Sequence, residues 1–366
     1  MATTAVLALD TAAEARDVRA EDALEVRALD TWLRSSIPGG DGLPGLLPQV
    51  RQFPGGASNL TYLVRYGEER DLVLRMPPRG TKAASAHNMH REYELQRRLR
   101  GQFPTVPHVL AYAGAEESPV GAELYAMERA RGIILRADLP DDVAGHQGAS
   151  DLGLALFDLL ADLHAVDFEA AGLGEFDRGP GYVRRQVDGW SRRYRDARTD
   201  DLPDGEEVMA WLEAEQPADV ARRLIHGDWR FDNVVLDPDT LAPVAVLDWE
   251  LATVGDPLMD LGSALAYWVQ ADDDAVFQAF RRQPSNAPGM PTREQIVARY
   301  LQRTGLACRD WRFYEVFGLF RLAVIAAQIW FRYSTGQTSN PAFKQMGPAV
   351  DYLMWRCAEL IGEPSG

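Results

Sequence analysis

"HGDWRFDN", His226 to Asn233, and "VLDWE", Val246 to Glu250, decide how this chain is read. The first stretch sets an acid, Asp228, five residues before an amide, Asn233. The second delivers another acid, Asp248, at the end of the apolar run "PVAVL". A carboxylate in a polar turn can orient a hydroxyl and accept its proton. Asn233 and Asp248 offer hard oxygen donors, which suit Mg²⁺ carrying phosphates. Phosphoryl transfer needs these parts: a positioned acceptor, a metal to neutralise charge and a cation near the phosphates. A single Asp or Asn in a loop more often makes a turn or a cap. The combined pattern, H-G-D-x-x-x-x-N, then a strand, then an acid closing a second strand, is far more restrictive.

The bulk of the chain leaves room for that chemistry. Its 366 residues suffice for two domains or one large bilobed unit. A net charge of −16 argues against a general nucleic-acid binder, because phosphate backbones call for basic surface. The two cysteines, Cys308 and Cys357, form no C-x-x-C pair. Disulfide scaffolds and cysteine zinc sites are therefore disfavoured, and a cytoplasmic location fits. The opening "MATTAVLALDTAAEARDVRAED" lacks a basic segment followed by a long apolar run, so it does not read as a signal peptide. "VFGLFRLAVIAAQIWF" is interrupted by Arg321 and is shorter than a spanning helix requires. It reads as a buried helix, with no membrane implied.

Along the chain the pattern changes once. Residues 1–24 are Ala-rich and acidic and read as a leader, frayed or loosely helical. Residues 25–130 hold an amphipathic helix, then "VRQFPGG", "NLTYLVRYG" and "RDLVLRMPP", short β-rich runs punctuated by turns. The helix "SAHNMHREYELQRRLRG" and the strand "ELYAMERARG" follow. Residues 131–366 are mostly helical, with strands only around the two opening motifs. The expectation is an α+β, bilobed fold with a small antiparallel-sheet N-lobe and a larger, mainly helical C-lobe.

On these motifs the chain resembles the aminoglycoside phosphotransferase-like kinases, relatives of choline and homoserine kinases with a protein-kinase-like fold. It is most similar to the branch fused to acyl-CoA dehydrogenases, over about residues 25 to 360. The resemblance implies ATP and Mg²⁺ as cofactors. It implies Asp228 as catalytic base, Asn233 as a Mg²⁺ ligand and Asp248 as the second metal ligand, standing where protein kinases carry the D-F-G aspartate. "PGGASNLTY" resembles the phosphate-covering loop, with Gly55, Gly56, Ser58 and Asn59 near phosphate. Arg75 in "LVLRM" stands where an ATP-binding lysine is usual, and Glu92 matches its glutamate partner. Arg230 occupies the place of a phosphate-facing lysine. "YAMERA" resembles the interlobe hinge, whose backbone from Glu128 to Ala130 would meet adenine. Asp256 and Asp260 read as supports, the first capping a helix and the second holding the catalytic loop. His164 reads as a satisfied core histidine, and His226 as a buttress of the loop.

The acceptor is less legible. Seven arginines fall between 178 and 198 (Arg178, Arg184, Arg185, Arg192, Arg193, Arg195 and Arg198), interleaved with Tyr182, Trp190 and Tyr194. They fit an anionic acceptor better than a cationic aminoglycoside; a solvated, ion-paired helix face is the competing reading. The resemblance points to a small hydroxylated molecule such as a hydroxyacyl-CoA or hydroxy acid, and to a functional link with an acyl-CoA dehydrogenase. Two alternatives stand beside this reading. One is a nucleotide- or CoA-binding pseudokinase that regulates a partner, motivated by Arg75. The other is an antibiotic phosphotransferase.

Overall fold

In the computed structural model the described residues are 10–54, 59–68, 70–78, 88–139 and 146–362. They fall into two compact units. One comprises Met1–Ile134, Glu169–Leu173 and Asp232–Glu250; the other comprises Leu135–Phe168, Gly174–Phe231 and Leu251–Gly366. An antiparallel-sheet unit and a mainly helical unit give the α+β division that the sequence pattern implied. The short segment Asp232–Glu250 groups with the sheet unit, although it lies far along the chain.

The first unit is built on β1 (Gln49–Gln52), β2 (Leu60–Tyr66), β3 (Arg70–Met76), β4 (Val109–Ala113) and β5 (Leu124–Glu128), in the order β1-β2-β3-β5-β4. All neighbours are antiparallel. Alternation sorts the side chains to two faces. Leu60, Tyr62, Val64 and Tyr66 of β2 join Leu72, Leu74 and Met76 of β3 against Leu29 and Leu33 of α1 (Val26–Ser36). On the other face, Val73, Val109, Tyr125 and Met127 pack with Met89 of α2 (Met89–Leu99). Arg75 has the parity of Val73, so the strand period itself turns it toward α2.

Residues 10–24 are not frayed. Arg16 and Gln52 exchange backbone hydrogen bonds of 2.8 Å, and the Tyr62 hydroxyl donates to the Asp22 carbonyl at 2.9 Å. Arg129, nearly buried, pairs with both Asp10 and Asp71. Of the acids in this stretch, Asp10 pairs with Arg129 and Asp22 accepts from the buried Gln52 amide. The hairpin of β7 (Val234–Leu236) and β8 (Pro243–Val246) completes this unit, tied on by Val246 N–H to the Thr105 carbonyl at 2.7 Å and by exchange between Ile133 and Leu236.

The second unit contains α3 (His146–His164), α4 (Tyr182–Ala197), α5 (Glu206–Glu215), α6 (Pro257–Leu265), α7 (Ala275–Ala279), α8 (Arg293–Thr304), α9 (Arg312–Ser334) and α10 (Met346–Gly362). It also holds a two-stranded sheet of β6 (Arg223–Ile225) and β9 (Thr253–Gly255). The apolar run around Arg321 is part of a 23-residue helix, long enough to cross a membrane by length and composition. Only the apolar stretch within it reads as too short to span; the helix itself runs from Arg312 to Ser334. Its burial decides its role: Phe313, Phe317, Phe320, Val324 and Ala327 lie in the protein core. Helices α6 and α9 touch backbone to backbone. A Cβ on Gly318 would lie 2.2 Å from the Gly262 carbonyl oxygen, and one on Gly262 would lie 2.4 Å from that of Tyr314. Only glycine permits that approach, and it seats α6, the helix that supports the site.

Candidate active site

In the helical unit, Asp256 precedes Pro257 and caps α6, accepting from the Leu258 and Met259 N–H groups and from Val220 N–H. One turn later the buried Asp260 accepts from the backbone N–H of His226 and of Gly227, both at 2.9 Å. The His164 Nε2 approaches the same carboxylate at 3.2 Å, and its Nδ1 lies 2.6 Å from the Tyr300 hydroxyl. The consistent tautomer donates from Nε2 to Asp260 and accepts from Tyr300. Burial would lift the Asp260 carboxyl, but the bonds from His164 and the loop hold it below its ordinary value. Thus His164 is a satisfied core histidine that acts on the loop through Asp260.

That loop carries Asp228. Gly227 has φ of 84°, and a Cβ there would meet Leu251 at 3.0 Å, so the H-G-D glycine is a conformational requirement. The fully buried His226 accepts the Asp228 N–H on its Nδ1 at 3.2 Å. Trp229 turns inward and donates its indole N–H to the Leu156 carbonyl at 3.1 Å. Asp228 and Arg230 flank it, half-buried, with their side chains 3.0 Å apart. Arg230 also stacks over Tyr267 at 4.8 Å. Burial and then Asp228 push the Tyr267 phenol up, against Arg321 and Arg230.

In the sheet unit, the β7–β8 hairpin carries the other two motif residues. Val234 pairs with Val246, and the Leu247 N–H donates to the Asn233 carbonyl at 2.7 Å. Asn233 and Asp248 therefore flank the open end of one hairpin, 15 positions apart in sequence but adjacent in register. Asp248 has φ of 66°, a left-handed conformation unusual for a residue with a side chain and frequent where function demands it. Its Oδ1 accepts from Arg75 at 3.0 Å, and the Arg75 Nε lies 3.5 Å from Glu92. Glu92 also accepts from the Tyr125 hydroxyl at 2.7 Å. Burial alone would push the Arg75 guanidinium down; Glu92, Tyr125 and Asp248 outweigh it and hold it well above its ordinary range. Burial lifts the Glu92 carboxyl.

Among the described residues no group of three His, Cys, Asp or Glu side chains could hold a metal. One carboxylate and one amide oxygen at the end of a hairpin fit Mg²⁺, which is commonly held by one or two protein oxygens plus phosphates and water.

The remaining sequence candidates fare unevenly. Gly55, Gly56 and Ser58 lie outside the described residues. Asn59, 2% exposed, donates its amide to Glu250 at 3.0 Å. Glu128 donates its backbone N–H to the His108 carbonyl at 2.9 Å, and its side chain sits beside Arg70 and His108. Ala130 follows the end of β5, half-buried. The arginine run divides. Arg185 bonds the Pro180 and Gly179 carbonyls, Arg195 pairs with Glu206, and Arg198 bonds the Leu202 carbonyl. Tyr194 is a core residue. Arg193 alone folds back over Trp190, at 4.6 Å. Arg321, read in sequence only as an interruption, is buried and bonds the Gly227 carbonyl at 2.7 Å. A lone charge inside a long apolar helix was the signal that it had a partner to find.

Comparison with known proteins bears on family and fold. A model of the phosphotransferase enzyme family matches residues 49–296. The mouse protein acyl-CoA dehydrogenase family member 10 is 35% identical over 341 residues, 92% of this chain and 31% of that protein. Acyl-CoA dehydrogenase family member 11 of Gallus gallus is 33% identical over 94% of this chain and 44% of that protein. The chain thus spans less than half the length of these relatives. Among solved structures, one from Ralstonia eutropha JMP134, provisionally named an aminoglycoside phosphotransferase, superposes with a TM-score of 0.76 at 28% identity, covering 92% of this chain and 98% of that one. Choline kinase from Cryptosporidium parvum Iowa II shares the fold, with a TM-score of 0.64 at 12% identity over 92% and 95% of the two chains.

Proposed function

The chain belongs to the phosphotransferase enzyme family, and from that premise we propose that it is an ATP- and Mg²⁺-dependent kinase acting on a hydroxyl of a small, anionic molecule. The observation that carries this reading is the H-G-D loop, whose backbone N–H groups are held by buried Asp260 while the Asp228 carboxylate is left half-exposed. Asp228 orients the acceptor hydroxyl and takes its proton as that oxygen bonds to the γ-phosphorus of ATP and ADP departs. Arg230, 3.0 Å from Asp228, pairs with the carboxylate and presents a cation to the phosphoryl group. Asn233 and Asp248 would hold Mg²⁺, which when bound supplies charge neutralisation at the phosphate oxygens. Arg75 orients Asp248 and supplies a second fixed cation. The backbone from Glu128 to Ala130 would meet the adenine edge.

A hydroxyacyl-CoA or hydroxy acid is the acceptor class we favour. The names of the relatives and the cationic surroundings of α4 support it. A second reading, a nucleotide-binding regulator, draws on one observation: the Asp248 carboxylate is engaged by Arg75, where a lysine is usual.

The test is a transfer screen read by mass spectrometry, with Mg-ATP and a panel of hydroxyacyl-CoAs, hydroxy acids, amino alcohols, sugars and antibiotics. Asp228→Ala is expected to lower kcat by about 10²- to 10⁴-fold while leaving the nucleotide Kd largely unchanged. Full transfer by this variant would remove Asp228 as base. Nucleotide binding with no turnover on any acceptor would favour the regulator.

A further inference from the structure

Within the helical unit, two cations converge on one aromatic ring. The Arg193 guanidinium lies 4.6 Å from the Trp190 ring centroid, and that of Arg321 lies 5.2 Å from the same centroid. Arg321 is 8% exposed and comes from α9; Arg193 and Trp190 come from α4. Neither arginine has a carboxylate partner among the described residues, although the chain carries 54 acidic residues against 38 basic ones. Burial and the neighbouring Arg192 and Arg321 charges push the Arg193 guanidinium down, the mark of cations that repel one another.

Such a pairing is unfavourable by itself. Arg193 is exposed, but the buried Arg321 guanidinium is removed from water at a penalty. A ring contact and one bond to a carbonyl return part of it. An oxyanion bound by these guanidiniums would offset the remainder, since a guanidinium binds carboxylate or phosphate bidentately. The location gives this a use. Arg321 bonds the carbonyl of Gly227, the residue before Asp228, and Tyr267 senses both Asp228 and Arg321.

We propose that Arg193 and Arg321, sharing the Trp190 ring beside the H-G-D loop, form the subsite that binds the anionic group of the phosphoryl acceptor and sets its specificity. The proposal rests on the kinase reading for its substrate, but not for its anion chemistry. The oxyanion is either the carboxylate of a hydroxy acid or a phosphate on a longer, CoA-type acceptor.

Two measurements test it on the full chain. The first uses no catalysis: calorimetric titration with inorganic phosphate and with a short hydroxy acid, on wild type, Arg193→Gln, Arg193→Lys and Arg321→Lys. Gln at 193 is expected to weaken anion binding about tenfold, and Lys to retain most of it. Equal affinity for wild type and Arg193→Gln would overturn the subsite. The second compares acceptors with and without charge: a hydroxy acid against its methyl ester, and a hydroxyacyl-pantetheine with and without its terminal phosphate. Wild type should prefer the charged member of one pair, and Arg193→Gln should lose that preference through KM, with a much smaller change in kcat. Preference within the first pair identifies the carboxylate, and within the second the phosphate. No preference in either pair overturns the proposal and leaves the kinase reading standing. If no acceptor is phosphorylated, the kinase reading fails while the titrations still judge the subsite.

Discussion

Arg75 and Arg321 are buried to the same degree, 9% and 8% exposed, yet their surroundings are opposites. Arg75 sits between two carboxylates, Glu92 at 3.5 Å and Asp248 at 3.0 Å. Arg321 has a carbonyl, an aromatic ring and a second arginine. The first charge is balanced within the protein and fixes a carboxylate in place. The second is left for something the chain does not supply. Buried carboxylates repeat the contrast. Asp260 is answered by His164 and lowered, whereas Asp256 has backbone donors but no cation, and burial raises it to about 6.

The largest effect should come from the balanced arginine. Arg75→Met strands Glu92 and frees Asp248, and a loss of about 3–5 kcal/mol of stability is expected in urea melts. The double variant Arg75→Met, Glu92→Met should recover most of it, because a buried pair replaced by apolar side chains is often nearly neutral. Failure to recover would mean that the pair supports more than itself.

Next is Asp256. The folded protein keeps a proton on it up to about pH 6, whereas an unfolded aspartate releases it near 3.8. Its contribution is fully present below about pH 4 and is lost as pH rises through about 6. The wild type should therefore lose up to about 3 kcal/mol relative to Asp256→Asn between pH 4 and pH 7. Parallel stability profiles for the two proteins would show that the three backbone donors outweigh burial.

The smallest effect belongs to the unbalanced arginine. Arg321→Met removes one charged hydrogen bond together with the desolvation penalty of an unbalanced charge, and it strands no carboxylate, so a loss below about 1.5 kcal/mol is expected. A loss equal to that of Arg75→Met in the same melts would break the comparison and place an acidic partner near Arg321.

How much of this was legible beforehand depended on sequence distance. The turn that holds the H-G-D motif and the two strands that end at Asn233 and Asp248 were readable because the signals are local. Arg75 was picked out by its strand, whereas the face it takes is seen only in the structure. Residues 10–24 were misread because composition reports solvation on average, and the acids there meet specific buried partners such as Arg129. The arginine run looked uniform along the chain, but a helix distributes seven such residues around its circumference, and only Arg193 reaches the ring it shares with Arg321.

By itself the amino-acid order determined the two-part architecture, the β-hairpin that aligns Asn233 with Asp248, and the glycine that lets Asp228 turn. These are properties of periodicity, backbone freedom and neighbours within a few residues. Tertiary structure alone decided that His164 reaches Asp260 across 96 positions and that Arg321 reaches Gly227 across 94. It also decided that Gly262 and Gly318 bring α6 against α9. The physical reason is that a side chain's charge is written in the sequence, whereas its counter-charge is chosen by the packing of helices far apart along the chain.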